Sequence, residues 1–339
     1  MELKQFYQLL QEDRIKIFDK IVSKALQDYN LQVLYFKYFA EFSNVLYEVE
    51  TADNNKYMLK IANPGDHSRE ELSEGLQWLN SLHEISALNA TRPLSNIRNQ
   101  FITDVIIPEI PQPKLCSITT WIKGRIVNTN EINSDYAFKW GMLMATIHRL
   151  SAKIPYDKYA HLNEWNKVFY WDKEELFDPK FKRFFPISRK HLFQQAIEQV
   201  QEAINRLYGS GKNKIIIHAD LHNENIHLFE QGLYAFDFED IMIGYPIQDI
   251  AIALYYVNDQ TDYFKIRDAF EKGYASVLKY PETYDGEIEA FFIGRMLMFA
   301  NYIIKLEDET DEDIEKRLAR YESQISDYLN KKGIFKNLN

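Results

Sequence analysis

The sequence predicts an α+β chain of two lobes, a small one built on an antiparallel β-sheet and a large, mainly helical one. Three observations predict it. Residues 31–63 hold three short strand-like runs, LQVLYFKYF, NVLYEVET and KYMLKIAN, separated by the polar turns AEFS and ADNN. Beyond residue 134, apolar residues recur at i, i+3 and i+4 through several long segments. Among those segments stands Ile215 to Asp240, IIIHADLHNENIHLFEQGLYAFDFED, which reads as a buried strand, a polar loop and a second buried strand in a hairpin-like unit.

A chain of 339 residues is long enough for two lobes with a sizeable core. Its formal net charge of −10 argues against nucleic acid or an anionic membrane surface as the main partner, since both demand a basic face, and suits a cationic substrate. One cysteine, Cys116, excludes an internal disulfide and agrees with a reducing cytosol. The start MELKQFYQLLQED has no continuous apolar core before a cleavage site, and no stretch approaches the ~18 apolar residues of a membrane span. The expectation is a cytoplasmic protein, monomer or homodimer.

Residues 1–30 mix apolar and charged positions at helical spacing, which predicts one or two amphipathic helices packed on the domain. Ser68 opens the helix SREELSEGLQWLNSLHEI, with Glu71 placed three residues on as a capping box requires. Residues 91–120 read as a loop and two strands, the second KLCSITTW, with Pro108, Pro111 and Pro113 marking the turn between them; WIKG ends the strand. SDYAFKWGMLMATIHRLS is a helix, and a lone His148 near its end reads as packed rather than catalytic. The aromatic and charged segment 155–190 is either a substrate-facing insertion or a surface packed on its neighbours. HLFQQAIEQVQEAINRLYGSGK is an amphipathic helix ended by Gly209 and Gly211. After residue 251 come further helical runs that would wall an acceptor pocket, with Glu239, Asp240 and Arg295 as candidates to line it. Arg295 sits in an apolar helix, where a buried arginine must find an acid, so a structural ion pair is the equal alternative.

The chemistry concentrates in the 215–240 stretch. Moving a γ-phosphoryl group needs a carboxylate to orient and accept the proton of an incoming hydroxyl, and oxygen ligands to hold Mg2+ across the phosphates. Asp220 fits the first role, while Asn225 and Asp237 fit the second. His218, Asp220, Leu221 and Asn225 match the spacing of a kinase catalytic loop, His-x-Asp-Leu then Asn, and Asp237-Phe238 follows after one short strand. A rival reading takes His218, Asp220, His222 and His227 as ligands of a metallohydrolase, but leaves Asn225 and Asp237 without a role.

HADLHNENI followed by AFDFEDIMIGYPIQDIAIAL closely resembles the aminoglycoside phosphotransferase family, whose relatives include choline, homoserine and hydroxylysine kinases. The resemblance implies a bilobal protein-kinase-like fold, with a nucleotide-binding lobe over residues 1–121 and a catalytic and substrate-binding lobe over 122–339. It implies Asp220 as catalytic base and Asn225 and Asp237 as metal ligands. Gly244 and Asp249 match the family's later glycine and second Asp, and Asp249 would cap its helix and brace the catalytic loop. YMLKI resembles the kinase third strand, whose lysine, here Lys60, grips the nucleotide phosphates. SEGLQWL resembles the family helix whose glutamate orients that lysine; this selects Glu74, with Glu71 as the alternative. The turn Tyr38 to Val45 should cover the nucleotide although it has no glycine, with Ser43 and Asn44 as donors. At the expected hinge, Thr120 would offer its carbonyl and Ile122 its N–H to adenine. The implied activity is ATP- and Mg2+-dependent phosphorylation of a hydroxyl on a small, amine-bearing molecule such as an aminoglycoside, choline or homoserine. A nucleotide-binding pseudokinase and a kinase acting on proteins are the rivals. The second is disfavoured by the short span between Asp237 and Asp249, and by Ala219 where a phosphate-receiving arginine would stand.

Overall fold

Apolar residues spaced along one face make α1 (Gln11–Leu26) amphipathic, and it buries Phe18, Ile21, Val22 and Ala25. Each such side chain removed from water contributes about 1.5–3 kcal/mol for the larger residues. The computed structural model describes residues 6, 9–63, 65, 67–306 and 309–331. The start of the expected opening helix, at residues 1–5 and 7–8, therefore lies outside the described residues. The chain divides into two units, the first formed by Met1–Arg125 with Tyr159–Leu162 and His227–Glu239. The first unit thus runs past the expected boundary at residue 121 and takes in two later segments.

In the first unit α1 faces an antiparallel sheet. Strands β1 (Val33–Glu41), β2 (Val45–Thr51) and β3 (Lys56–Ile61) are the three expected from the alternating runs. They are followed by β4 (Pro93–Leu94), β5 (Thr103–Ile107) and β6 (Ile110–Thr120), and the order is β1-β2-β3-β6-β4 with β5 on β6. Tyr47, Val49, Leu59, Ile61, Cys116 and Ile118 build its core with α1. Lys60 pairs across to Leu46 on one side and Ser117 on the other, so its strand is central. Only Pro108 stands in the β5–β6 turn; Pro111 and Pro113 lie within β6 itself. The register shifts between the pairs Val105–Lys114 and Ile107–Ile110, and such an irregularity tolerates a residue that cannot donate to the ladder. Helix α2 (Arg69–Ile85) begins with the expected capping box: Glu71 N donates to Ser68 Oγ at 3.1 Å, and Ser68 N to Glu71 Oε2 at 2.7 Å.

The second unit, Ile126–Lys158 with Asn163–Ile226 and Asp240–Asn339, is mainly helical. Its helices are α3 (Ser134–Ser151), α4 (Ile187–Tyr208), α5 (Pro246–Tyr255), α6 (Tyr263–Ala275), α7 (Glu287–Ile303) and α8 (Asp311–Lys331). Helices α3 and α6 approach so closely that a Cβ on Gly141 would lie 2.1 Å from the Phe270 carbonyl oxygen, and one on Gly273 1.9 Å from that of Phe138. Helix α7 is buried on nearly every side, as its apolar sequence demands. Most residues of segment 155–190 are exposed, but its aromatic side chains largely pack inward: Trp165, Tyr170 and Phe184 are under 5% exposed, while Trp171 stays 37% exposed.

After a short strand β7 (Arg125–Ile126), the three isoleucines form β8 (Ile215–Ile217), but its partner corrects the hairpin expected from the sequence. It pairs antiparallel with a short strand, β9 (Met242–Gly244), through Ile217–Met242 and Ile215–Gly244. The hairpin is made instead by β10 (Ile226–Phe229) and β11 (Gly232–Ala235). A three-residue strand has too few side chains to advertise which neighbour it joins. Among the described residues no helix is long and apolar enough to cross a membrane.

Candidate active site

In the second unit, β8 delivers the chain into a loop that turns on Ala219. This residue has φ 60°, a left-handed conformation unusual for a side chain with a Cβ. Asp249 holds the turn: its Oδ2 accepts from His218 N at 3.0 Å and its Oδ1 from Ala219 N at 2.9 Å. His148 Nε2 lies 2.8 Å from Asp249 Oδ2, and Tyr274 Oη 2.9 Å from His148 Nδ1, all fully buried or nearly so. Asp249 therefore braces the loop as expected. It does not cap its helix; that is done by Gln248, whose Oε1 accepts from Tyr245 N at 2.9 Å, because the Asp249 carboxylate is already filled by the loop.

Past this turn, Asp220 is 16% exposed and sits at the centre of a polar cluster. Asn225 Nδ2 donates to the Asp220 carbonyl at 2.9 Å and to its Oδ2 at 3.1 Å. His222 Nε2 lies 3.4 Å from the same oxygen. The other oxygen, Oδ1, takes the guanidinium of Arg295. Burial alone would raise the Asp220 carboxyl, but Arg295 first and His222 second outweigh it and hold it below the usual carboxylate range. Arg295 is 1% exposed and is the buried ion pair that the sequence left as an alternative. Spacing along the chain does not say which acid it meets.

In the first unit, β11 is anchored by Thr91 N to the Ala235 carbonyl at 3.0 Å and by Ala235 N to the Asn89 carbonyl at 2.9 Å. Phe238 is buried with its ring centroid 6.1 Å from that of Trp78. Between these anchors Asp237 has φ 61°. Lys60 Nζ lies 2.9 Å from Asp237 Oδ1 and 2.8 Å from Glu239 Oε1. Burial opposes the charge on Lys60, yet the two carboxylates more than offset it and hold the ammonium above its ordinary value.

The expected Lys60–Glu74 pair is not formed. Glu74 instead accepts from His161 N at 2.8 Å and lies 2.7 Å from its Nδ1, while Lys60 is already satisfied by two nearer acids. Glu71 is held by the capping box. In the β1–β2 turn Asn44 is 7% exposed: its Nδ2 donates to Glu239 Oε2 at 2.5 Å and its Oδ1 accepts from Asn63 N at 3.2 Å. The Ser43 carbonyl accepts from Asn63 Nδ2. Asn44 thus braces the turn rather than presenting its amide outward. At the expected hinge the Thr120 carbonyl accepts from Thr91 Oγ1 at 3.0 Å, and the Ile122 carbonyl faces His227 Nδ1 at 3.2 Å.

Each unit carries a hard oxygen donor of the kind a divalent cation takes. In the second unit Asn225 turns its nitrogen to Asp220, and in the first the Asp237 carboxylate stands beside Lys60. Mg2+ takes one or two such protein ligands and keeps waters and substrate oxygens in its shell. Among the described residues no three His, Cys, Asp or Glu side chains gather as a metal cluster.

A profile of the phosphotransferase enzyme family matches residues 37–286. The chain is 26% identical over 248 residues to amicoumacin kinase of Bacillus subtilis (strain 168), covering 73% of this chain and 70% of that protein. Its fold matches a solved amicoumacin kinase in complex with AMP-PNP, Ca2+ and Ami, with TM-score 0.75 and 20% identity over 94% of this chain and 96% of that one. A microcompartment-associated aminopropanol kinase matches with TM-score 0.72 and 17% identity, covering 93% and 98%. Choline kinase from Streptococcus pneumoniae matches with TM-score 0.57 and 16% identity, covering 91% and 99%.

Proposed function

This chain belongs to the phosphotransferase enzyme family, and from that premise we propose that it moves the γ-phosphoryl group of ATP to a hydroxyl of a small, amine-bearing molecule. The acceptor oxygen bonds to the γ-phosphorus, the bond to the bridging oxygen breaks, ADP leaves, and the hydroxyl proton passes to the Asp220 carboxylate. The observation that carries the reading is the Asp220–Asn225 pair. One side chain is a buried carboxylate kept ionised by Arg295, and the other is an amide tied to it by nitrogen with its oxygen left over.

Asn225 and Asp237 supply the oxygens for a divalent cation. Such a cation, Mg2+ in this reading, would neutralise charge on the transferring phosphoryl group. Lys60 provides the fixed positive charge for the nucleotide phosphates, and Asp237 with Glu239 keeps that lysine ionised. Glu74 joins Lys60 only on leaving His161. Ser43 and Asn44 shape the turn over the nucleotide, and the main chain at Thr120 and Ile122 meets its base.

Between Asp237 and Asp249 the chain has room only for β9 and the start of α5, which leaves no platform for a peptide and favours a small acceptor. The names of the relatives, an aminopropanol kinase and a choline kinase among them, support an amino alcohol or a larger amine-bearing compound. The test is ADP release with ATP, Mg2+ and a panel of hydroxylated amines. One or more acceptors should stimulate it. Nucleotide binding without turnover on any acceptor would favour the pseudokinase reading, and label transfer to peptides the protein-kinase one.

A further inference from the structure

The Arg295 guanidinium is held by more than its carboxylate partner. It is 1% exposed. Its Nη2 donates to Tyr256 Oη at 2.8 Å and also meets Asp220 Oδ1, while Nη1 lies 3.4 Å from Tyr170 Oη. Its carbon centre stands 4.2 Å from the ring centroid of Trp171 and 4.7 Å from that of Phe299. Tyr256 in turn stacks on His222 at 4.0 Å with an interplanar angle of 13°, so the same ring that orients the arginine also packs on the loop carrying Asp220.

We infer that Arg295 is a positioning residue for phosphoryl transfer: it clamps Oδ1 of Asp220 so that Oδ2, steadied by Asn225, is the oxygen presented to the acceptor hydroxyl. The inference rests on the proposed role of Asp220. A planar guanidinium with donors at fixed angles can set the rotation of a carboxylate, whereas a point charge on a flexible stem cannot. The rings around it fix the guanidinium plane, and they fill with a protein cation the kind of aromatic surround that could otherwise take a ligand's ammonium. Arg295 does not touch the reacting atoms in this account. Its effect passes through Asp220, and misorienting a reacting group by a fraction of its length is costly to rate.

The experiment compares Arg295→Met, Arg295→Lys and Tyr256→Phe with the wild type by ADP release at saturating ATP and acceptor, each also in an Asp220→Asn background followed under single-turnover conditions. Arg295→Met should lower kcat about a hundredfold with both KM values within about threefold. Arg295→Lys should recover about a tenth of the lost rate, restoring charge without the planar group that also reaches Tyr256 and Tyr170. In the Asp220→Asn background the loss should shrink to less than about threefold, since residues acting as one unit are not additive. If Arg295→Met does not fold, Tyr256→Phe carries the same test, with a several-fold drop in kcat that vanishes in the Asp220→Asn background. An unchanged kcat, or an equal loss with and without Asp220, overturns the inference while leaving the proposed function standing. A wild type inactive on every acceptor removes the proposed function and this inference with it.

Discussion

Lys60 Nζ lies 2.9 Å from Asp237 Oδ1, a lysine on the central strand of the sheet joined to the acid that follows the β10–β11 hairpin. The pair gives the lysine a fixed place. Replacing Lys60 by Met removes the cation and leaves Asp237 and Glu239 as neighbouring like charges. The expected outcome is a loss of nucleotide affinity of about tenfold or more, read by calorimetry with a non-hydrolysable ATP analogue, and a smaller change in acceptor KM. Unchanged nucleotide affinity would remove Lys60 from the phosphate site.

Ala219 is fully buried at φ 60° and donates its N–H to Asp249. Glycine adopts that conformation without the Cβ penalty, at some cost in unfolded-state entropy. Ala219→Gly should therefore raise the stability of the protein by up to about 1 kcal/mol, seen as a higher urea midpoint at constant slope, and keep the catalytic loop in place. A lower midpoint would mean that the Ala219 methyl contributes packing greater than the strain it causes.

His161 is held above its ordinary pKa by its hydrogen bond to Glu74. A group whose folded pKa exceeds its unfolded value of about 6.5 stabilises the fold below that value, and the contribution is lost as pH rises through the folded pKa. His161→Gln should therefore lower the melting temperature at a pH of about 5.5 and change it little at about 9. A difference that grew with pH would contradict the pairing. The same variant releases Glu74 and reports whether that carboxylate influences nucleotide binding through Lys60.

Much of this was legible locally. The capping box of α2 follows from Ser68 and Glu71 alone, and α3 spans the residues whose apolar spacing announced it. The three N-terminal strands followed from alternation, and the bracing of the catalytic loop by Asp249 from the family's pattern. What stayed hidden is long-range choice. Three isoleucines say that a strand is buried, not that it joins Met242–Gly244. Lys60 had acids at 71, 74, 237 and 239 to choose from, and spacing along the chain cannot rank them. Arg295 announced that it needed an acid, and only the folded helices say that the acid is Asp220. Proline is ambiguous for a related reason: a bulge and a turn use the same residues, and Pro111 and Pro113 lie at the register shift within β6.

The central claim is that the Asp220 carboxylate takes the proton of the acceptor hydroxyl. The most direct measurement is acceptor-stimulated ADP release by Asp220→Ala beside calorimetric binding of a non-hydrolysable ATP analogue. The account predicts a fall in turnover of about 10³-fold with nucleotide affinity within about threefold of wild type. Turnover equal to wild type would contradict it.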